Sequence, residues 1–318
     1  MKWYMDLMVD FAFKRLFGQP QGADLLIDFL NAVLQRKDGQ RIVELEFHNT
    51  EFPAQDRTDK AIRLDVLVRT NRGDWIDIEV QVAAQNTIVK RSLLYWSRLY
   101  DEQIQRGQDY DILKPAIVIQ IVDFALITST EHFHTTYHVV EDREGFRLTD
   151  DFELHVIEMP KFQNGLQNGH TMDEALKDPL QKWLLLLFAQ RDERIREALE
   201  AITVSDTMME KAFNLWEAIS KDPENWAAYV NRDMALRDWH QMKREALEEG
   251  REEGRQKGLQ EGRQEGRQEG LQEARREMAK AMIKKGMDGR DISELTELSM
   301  SAIDQLMKEH DGKESTTS

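Results

Sequence analysis

Two short stretches carry residues whose types and spacing suit acid–base or metal chemistry: IRLDVLVR at 62–69 and WIDIEVQV at 75–82. Both alternate apolar and polar residues with the two-residue period of a half-buried strand. Thr70 to Asp74 lie between them, and Gly73 suits that segment to a hairpin loop. With Arg69 opposite Trp75, the apolar pairs become Val68–Ile76, Val66–Ile78, Leu64–Val80 and Ile62–Val82, all on one face. A slip of one residue would mismatch every pair. The other face then sets Asp65 against Glu79 and Arg63 against Gln81, with Asp77 alongside. Opposed carboxylates on an antiparallel pair have Cβ atoms about 4.5–5.5 Å apart and repel. In a cleft that repulsion needs an offset. One is a shared proton; the other is a hard divalent cation such as Mg²⁺, which takes one or two carboxylates plus water and phosphate oxygens. On an exposed face no ligand is needed, because Arg63 and Arg69 would neutralise the carboxylates diagonally.

The elements that position this hairpin are legible by periodicity. Residues 6–36 place Phe11, Phe13, Leu16 and Phe17, then Leu25, Leu26, Phe29, Leu30 and Val33, at helical spacing, with a break at Gly18-Gln19-Pro20. Strands are expected at about 41–52, 62–69 and 75–83, and a long helix at about 86–106, ending near Gly107. The run from Ala116 to Val122 reads as a central strand buried on both faces. Shorter strands at about 135–141 and 152–159 complete a mixed α/β unit over 1–162. Residues 163–248 read as a second, α-helical domain in which Trp183, Trp216, Trp226 and Trp239 are packing residues.

Residues 249–273 repeat every four positions, with Gly250, Gly254, Gly258, Gly262, Gly266 and Gly270 separated by Arg, Gln and Glu. Each interior glycine costs a helix about 1 kcal/mol relative to alanine. Like charges fall four apart, as at Arg263 and Arg267, where they stack unfavourably. A second copy of the helix would reward this pattern, since glycines permit close approach and the charged rows can pair across. The alternative is a solvated linker. Residues 274–310 read as three short helices, with Gly286 as a C-cap and Ser299 or Ser301 opening the last. They are similar to a helix-turn-helix or to a small packing module. Residues 311–318 are expected to be disordered.

The bulk numbers narrow the class. Apolar residues make 41% of the 318 and charged residues 32%, which suits a soluble globular chain. The absence of cysteine excludes disulfides and cysteine–zinc sites and suits a reducing cytosol. Asp6 and Asp10 interrupt any signal-peptide apolar core, and WLLLLFA at 183–189 is far short of the roughly 20 residues of a spanning helix. A cytoplasmic protein without a membrane segment is expected. A net charge of −16 means that nucleic-acid binding requires a local basic patch or metal ions.

An Asp on one hairpin strand and Glu-x-Gln on the next resembles the PD-(D/E)XK nuclease superfamily, in the variant where Gln replaces the motif lysine. DFAFKRLFG at 10–18, IRLDVLVRTNRGDWIDIEVQ at 62–81 and RSLLYWSRLYDEQIQRGQDYDILKPAIVIQI at 91–121 are similar to the recombination-promoting nuclease, or transposase, family. The Gly repeat and the tail KKGMDGRDISELTELS are similar to that family too. The resemblance implies a restriction-endonuclease-like mixed sheet flanked by helices, and cleavage of DNA phosphodiesters linked to recombination or transposition. It implies that Asp65 and Glu79 hold Mg²⁺, with Mn²⁺ able to substitute, and that the Val80 carbonyl is a further ligand. Gln81 would orient the attacking water without supplying charge. Asp10 matches the acidic residue of the family's first helix; it is equally suited to be an N-cap. Lys14, Arg91 and Arg98 are candidates for phosphate contacts, the two arginines seven apart on one helix face, or else solvated charges. Homo-oligomerisation through 249–273 completes the expectation. The competing class is a scaffold protein that keeps the fold without activity. His132, His134 and His138 also suggest zinc, but no carboxylate or cysteine pattern supports it, and surface placement is the expectation.

Overall fold

The computed structural model describes residues 4–52, 62–84, 87–169 and 171–314. These form two compact units, one running to His240 and the other starting at Gln241.

The first unit opens with α1 (Asp10–Phe17) and α2 (Ala23–Leu34), joined by a 3-10 turn at Pro20–Gly22. The strands follow: β1 (Leu45–Phe47), β2 (Glu51–Phe52), β3 (Ile62–Arg63), β4 (Val66–Thr70) and β5 (Trp75–Gln81). Helix α3 (Ile88–Asp101) crosses to β6 (Ala116–Val122), and β7 (His134–Tyr137) and β8 (Phe152–Glu158) complete the set. Six strands make one sheet in the order β1-β4-β5-β6-β8-β7. Strands β5, β6 and β8 are parallel, with antiparallel partners towards both edges. The β4–β5 hairpin has the register read from its apolar alternation, with Val66, Val68 and Arg69 opposite Ile78, Ile76 and Trp75. Its turn relies on Gly73 at φ +91°, a conformation that favours glycine. Thr70 Oγ1 also accepts bonds from the Arg72 and Asp74 N–H groups.

Both faces of the sheet are covered, which explains why β6 is apolar at every position but Gln120. Ile117, Ile119 and Ile121 join a large core with α1 and α2, whereas Ala116, Val118 and Val122 meet Ile88, Tyr95 and Leu99 of α3. The spacing of Ile88, Ser92, Tyr95 and Leu99 is that of one helical stripe, and all four are buried.

The remaining helices of this unit are α4 (Met159–Gln167), α5 (Met172–Lys177), α6 (Pro179–Phe188), α7 (Glu193–Ile202), α8 (Thr207–Lys221) and the start of α9 (Pro223–Lys284). A packing boundary at 162 is not found. Trp183 lies between Phe17 and Phe29 and donates to Asp28, and Trp216 stacks on Tyr4 and donates to the Met5 carbonyl. The apolar faces of α6 and α8 are thus buried against α1 and α2 in one core with the sheet. Several further expectations shift. The strand expected at 62–69 breaks at Leu64-Asp65, and β3 pairs with β2 instead. Helix α3 ends at Asp101, short of Gly107. Val9, not Asp10, is the N-cap of α1.

In the second unit, the rest of α9 is followed by α10 (Gly289–Thr296) and α11 (Met300–Glu314). Ala279, Ile292 and Ile303 form its small core. Gly286 takes φ +70° at the C-terminal end of α9, and Ser299 bonds the Ala302 N–H at the start of α11. Residues 311–314 are helical rather than disordered; the rest of the expected disordered tail lies outside the described residues. The Gly repeat is continuous helix, with nothing within 4 Å of where any of its six Cβ atoms would stand. Among the described residues, no helix is long and apolar enough to cross a membrane.

Candidate active site

The break at Leu64-Asp65 builds the site. A continuous β4 would hand the Val80 N–H to a backbone carbonyl. Instead the Asp65 carboxylate accepts it at 3.0 Å through Oδ2, while Glu79 Oε1 accepts the Asp65 N–H at 2.9 Å. Two carboxylates replace two ladder acceptors: Glu79 fixes the backbone of Asp65, and Asp65 that of Val80, next to Glu79. The side chains expected opposite each other are brought together by this exchange rather than by the ladder, whose regular pairing ends at Val66–Ile78.

Both carboxylates line a cleft of about 730 Å³, together with Asp10, Lys14, Val80, Gln81, Arg91 and Arg232. Glu79 is only 2% exposed, which excludes the solvated-face reading of the hairpin. The arginines expected to neutralise the face are also elsewhere. Arg63 reaches the cleft rim but pairs with Glu51 at 3.7 Å, and Arg69 lies over the Trp75 ring. The neutralising cations are Lys14 of α1, whose Nζ is 2.8 Å from Asp65 Oδ1, and Arg91 of α3, 3.5 Å from Glu79 Oε2. Arg91 also donates to Gln81 Oε1 at 3.4 Å and lies over the Tyr95 ring. Arg98 is on the same helix but does not line the cleft.

Asp10 is gripped by Arg232 of α9, whose Nε and Nη2 reach its two oxygens at 2.8 and 2.7 Å. Such a two-pronged pair orients a carboxylate firmly. Arg232 was not anticipated from the sequence. Its partner lies 222 positions away, and neither charge spacing nor helical period signals a contact at that range.

The electrostatics are those of a site short of positive charge. Burial, and then the charge of Asp65, pushes the Glu79 carboxyl up to about 8. Burial also raises Asp65, against the pull of Lys14. Asp77, on the same face and fully buried, is raised well above the carboxylate range, by burial first and then by Glu79. Among the described residues, neither Asp77 oxygen has a hydrogen-bond partner, nor does the amide of Gln120, which pairs in register with Glu79 on β6. A divalent cation would offset this excess of buried negative and orphaned polar groups. Asp65 and Glu79 supply the hard oxygen ligands that Mg²⁺ accepts, with water filling the rest of its shell. They do not make a cage of three or more ligands; among the described residues no such group exists. Of the three histidines expected at the surface, His132 is exposed, whereas His134 and His138 are half-buried. His134 bonds His155, which bonds Glu153 at 2.8 Å, and burial and His155 hold His134 down to about 4.

A hairpin carrying an Asp and a Glu-x-Gln, on a mixed sheet crossed by a helix that returns an arginine to the same cleft, is a specific arrangement. The sequence pattern of the PD-(D/E)XK nuclease family transposases matches residues 7–246, which span that whole sheet and the start of α9. The chain belongs to this family. No curated protein and no solved structure matches it. Within the matched residues, Glu79 and Gln81 lie on β5, and Asp65 lies at the break just before β4.

Proposed function

We propose that this protein is a Mg²⁺-dependent DNA endonuclease that hydrolyses phosphodiester bonds, linked to recombination or transposition. The observation that carries the proposal is the reciprocal clasp of Asp65 and Glu79 at a cleft ringed by Lys14, Arg91 and Arg232. When bound, the metal lowers the pKa of a water and offsets charge on the phosphorus. The protein supplies the rest. Asp65 is held by the Val80 N–H and Glu79 by the Asp65 N–H, so both carboxylates are fixed before any ligand arrives. Val80 also lines the cleft, and its carbonyl would be the further oxygen ligand. Gln81 can orient the attacking water by its amide but adds no charge. Lys14 and Arg91 supply the positive charge that a motif lysine would have brought, from two helices rather than from β5. Lys14, paired with Asp65 in this structure, would be available to a phosphate oxygen where a metal offset the Asp65 charge. Asp10, held by Arg232, borders the cleft.

Plasmid nicking with Mg²⁺, by wild type and by Asp65→Ala and Glu79→Ala, tests this reading. Nicking by wild type and its loss in both variants is the expected result. Equal nicking by all three, or none by a folded, Mg²⁺-supplied wild type, would favour the inactive scaffold.

The partner through 249–273 is a second copy of the chain. Along α9 five of the six glycines are preceded by Glu (Glu249, Glu253, Glu261, Glu265, Glu269) and four are followed by Arg (Arg251, Arg255, Arg263, Arg267); Gly258 instead lies between Lys257 and Leu259, and Gly270 is followed by Leu271. In a parallel pair joined along the glycines, the Arg row of one helix faces the Glu row of the other; in an antiparallel pair like faces like. Parallel pairing is therefore favoured. A four-residue seam exceeds the 3.6-residue turn, so the pair would coil right-handed. Deleting 249–271 and measuring mass by light scattering tests the association, and an unchanged mass refutes it.

A further inference from the structure

A second hollow, of about 240 Å³, adjoins the carboxylate cleft, and the two share Asp10, Val80, Gln81 and Arg232. The first is ringed by charge. The second mixes polar and apolar lining, and its apolar wall carries Met8, Val82, Leu236 and Trp239. A nucleic-acid strand alternates in the same way, an anionic phosphate followed by a flat base. We propose that the Trp239 hollow takes the nucleobase next to the scissile phosphate, stacked on the indole, with Gln81 at its polar edge. The proposal rests on the nuclease reading and extends it to the form of the substrate. A base can enter only when it has left the duplex stack, so single-stranded or distorted DNA is the preferred substrate class. Stacking also gives a chain of net charge −16 an attraction that does not depend on phosphate neutralisation.

The test uses the full chain with Ca²⁺ in place of Mg²⁺ and a fluorescein-labelled single-stranded oligonucleotide. A set of copies carries one abasic position, stepped along the strand. Wild type should lose about tenfold in affinity at one position, within the range of a stacked base. In Trp239→Ala that penalty should vanish, and Trp239→Phe should keep most of it. No penalty at any position in wild type, or the same penalty in Trp239→Ala, overturns the base pocket and leaves the nuclease reading standing. A wild type that binds no DNA overturns both.

A different observation carries a second inference. Gln120 is 1% exposed and lies in register with Glu79 on the adjacent parallel strand, yet neither end of its amide has a partner among the described residues. An unmet buried amide destabilises the fold, and the neighbouring positions of β6 are all apolar. We infer that Gln120 is a positioning residue: in the metal-loaded site its Nε2 donates to the Glu79 carboxylate and fixes the ligand oxygen. This too rests on the metal-dependent reading. Gln120→Leu and Gln120→Met, in the full chain, should unfold at the same or a higher temperature without metal, because the orphaned amide is gone. By titration calorimetry both should bind Mn²⁺ about tenfold more weakly, as is usual for a lost outer partner. Wild-type affinity in both variants overturns the inference alone; a wild type that takes up no Mn²⁺ overturns the metal reading with it.

Discussion

Two glutamates lie at or near the C-terminal ends of parallel strands of the same sheet, and the molecule treats them oppositely. Glu158 of β8 is fully buried and fully satisfied: it accepts from the Leu126 and Ile127 N–H groups and pairs with Lys161 at 2.6 Å. Glu79 of β5 is buried almost as deeply. It accepts one backbone N–H, sees Arg91 only at 3.5 Å, and has Asp65, Asp77 and an orphaned Gln120 around it. A buried carboxylate with all its bonds made is a clamp for the fold. One left short of partners is held ready for something that arrives later. Burial is common to both; satisfaction separates them.

The largest effect should separate them in activity. Glu79→Ala should lower Mg²⁺-dependent nicking on the order of 10³-fold, since several kcal/mol of charge stabilisation is lost. Glu158→Gln, assayed on the folded fraction, should keep it. An equal loss in both variants would break the distinction. Stability should show the reverse order. Glu158→Ala leaves Lys161 buried and unpaired and should cost about 3–5 kcal/mol in urea denaturation, whereas Glu79→Gln should leave metal-free stability unchanged or raised.

The pH dependence sharpens the comparison at a smaller scale. The folded Glu79 carboxyl is raised from the usual 4.5 to about 8, so the metal-free fold favours its protonated form. That contribution is full below about 4.5 and is lost as the pH climbs to about 8. Urea midpoints of metal-free wild type should fall across this window, and those of Glu79→Gln should fall less. Because metal must displace the proton, Mn²⁺ affinity should rise across the same window. An affinity that is flat with pH would show that Glu79 is not the ligand that titrates.

Much of the site was legible in local pattern. The alternation of Val66, Val68, Ile76 and Ile78 sets the hairpin parity, and the motifs around Asp65 and Glu79 indicate the family that residues 7–246 match. What escaped the sequence depends on long-range or side-chain-to-backbone bonds. Alternation continues through Leu64 and Asp65, so nothing local reveals that carboxylates replace the ladder there. Lys14 meets Asp65 across 51 positions, and Arg232 meets Asp10 from a helix assigned only to packing. Trp183 and Trp216 were legible as packing residues, but not that α6 and α8 bury them in the same core as α1 and α2; Trp239, read as packing too, lines the second hollow instead. Gln120 was hidden inside an apolar run, where a single amide looks like noise.

The hairpin turn acts as a ruler for the cleft. Gly73 at φ +91° and the two bonds to Thr70 Oγ1 start the count, and Asp65 and Glu79 are read off five residues along each arm. One residue added to either arm would turn a carboxylate into the isoleucine core. Two would restore the face but slide the pair about 7 Å out of reach of each other. Neither parity is tolerated within the arms, so the distance from the turn to each carboxylate is as much a part of the cleft as the carboxylates themselves.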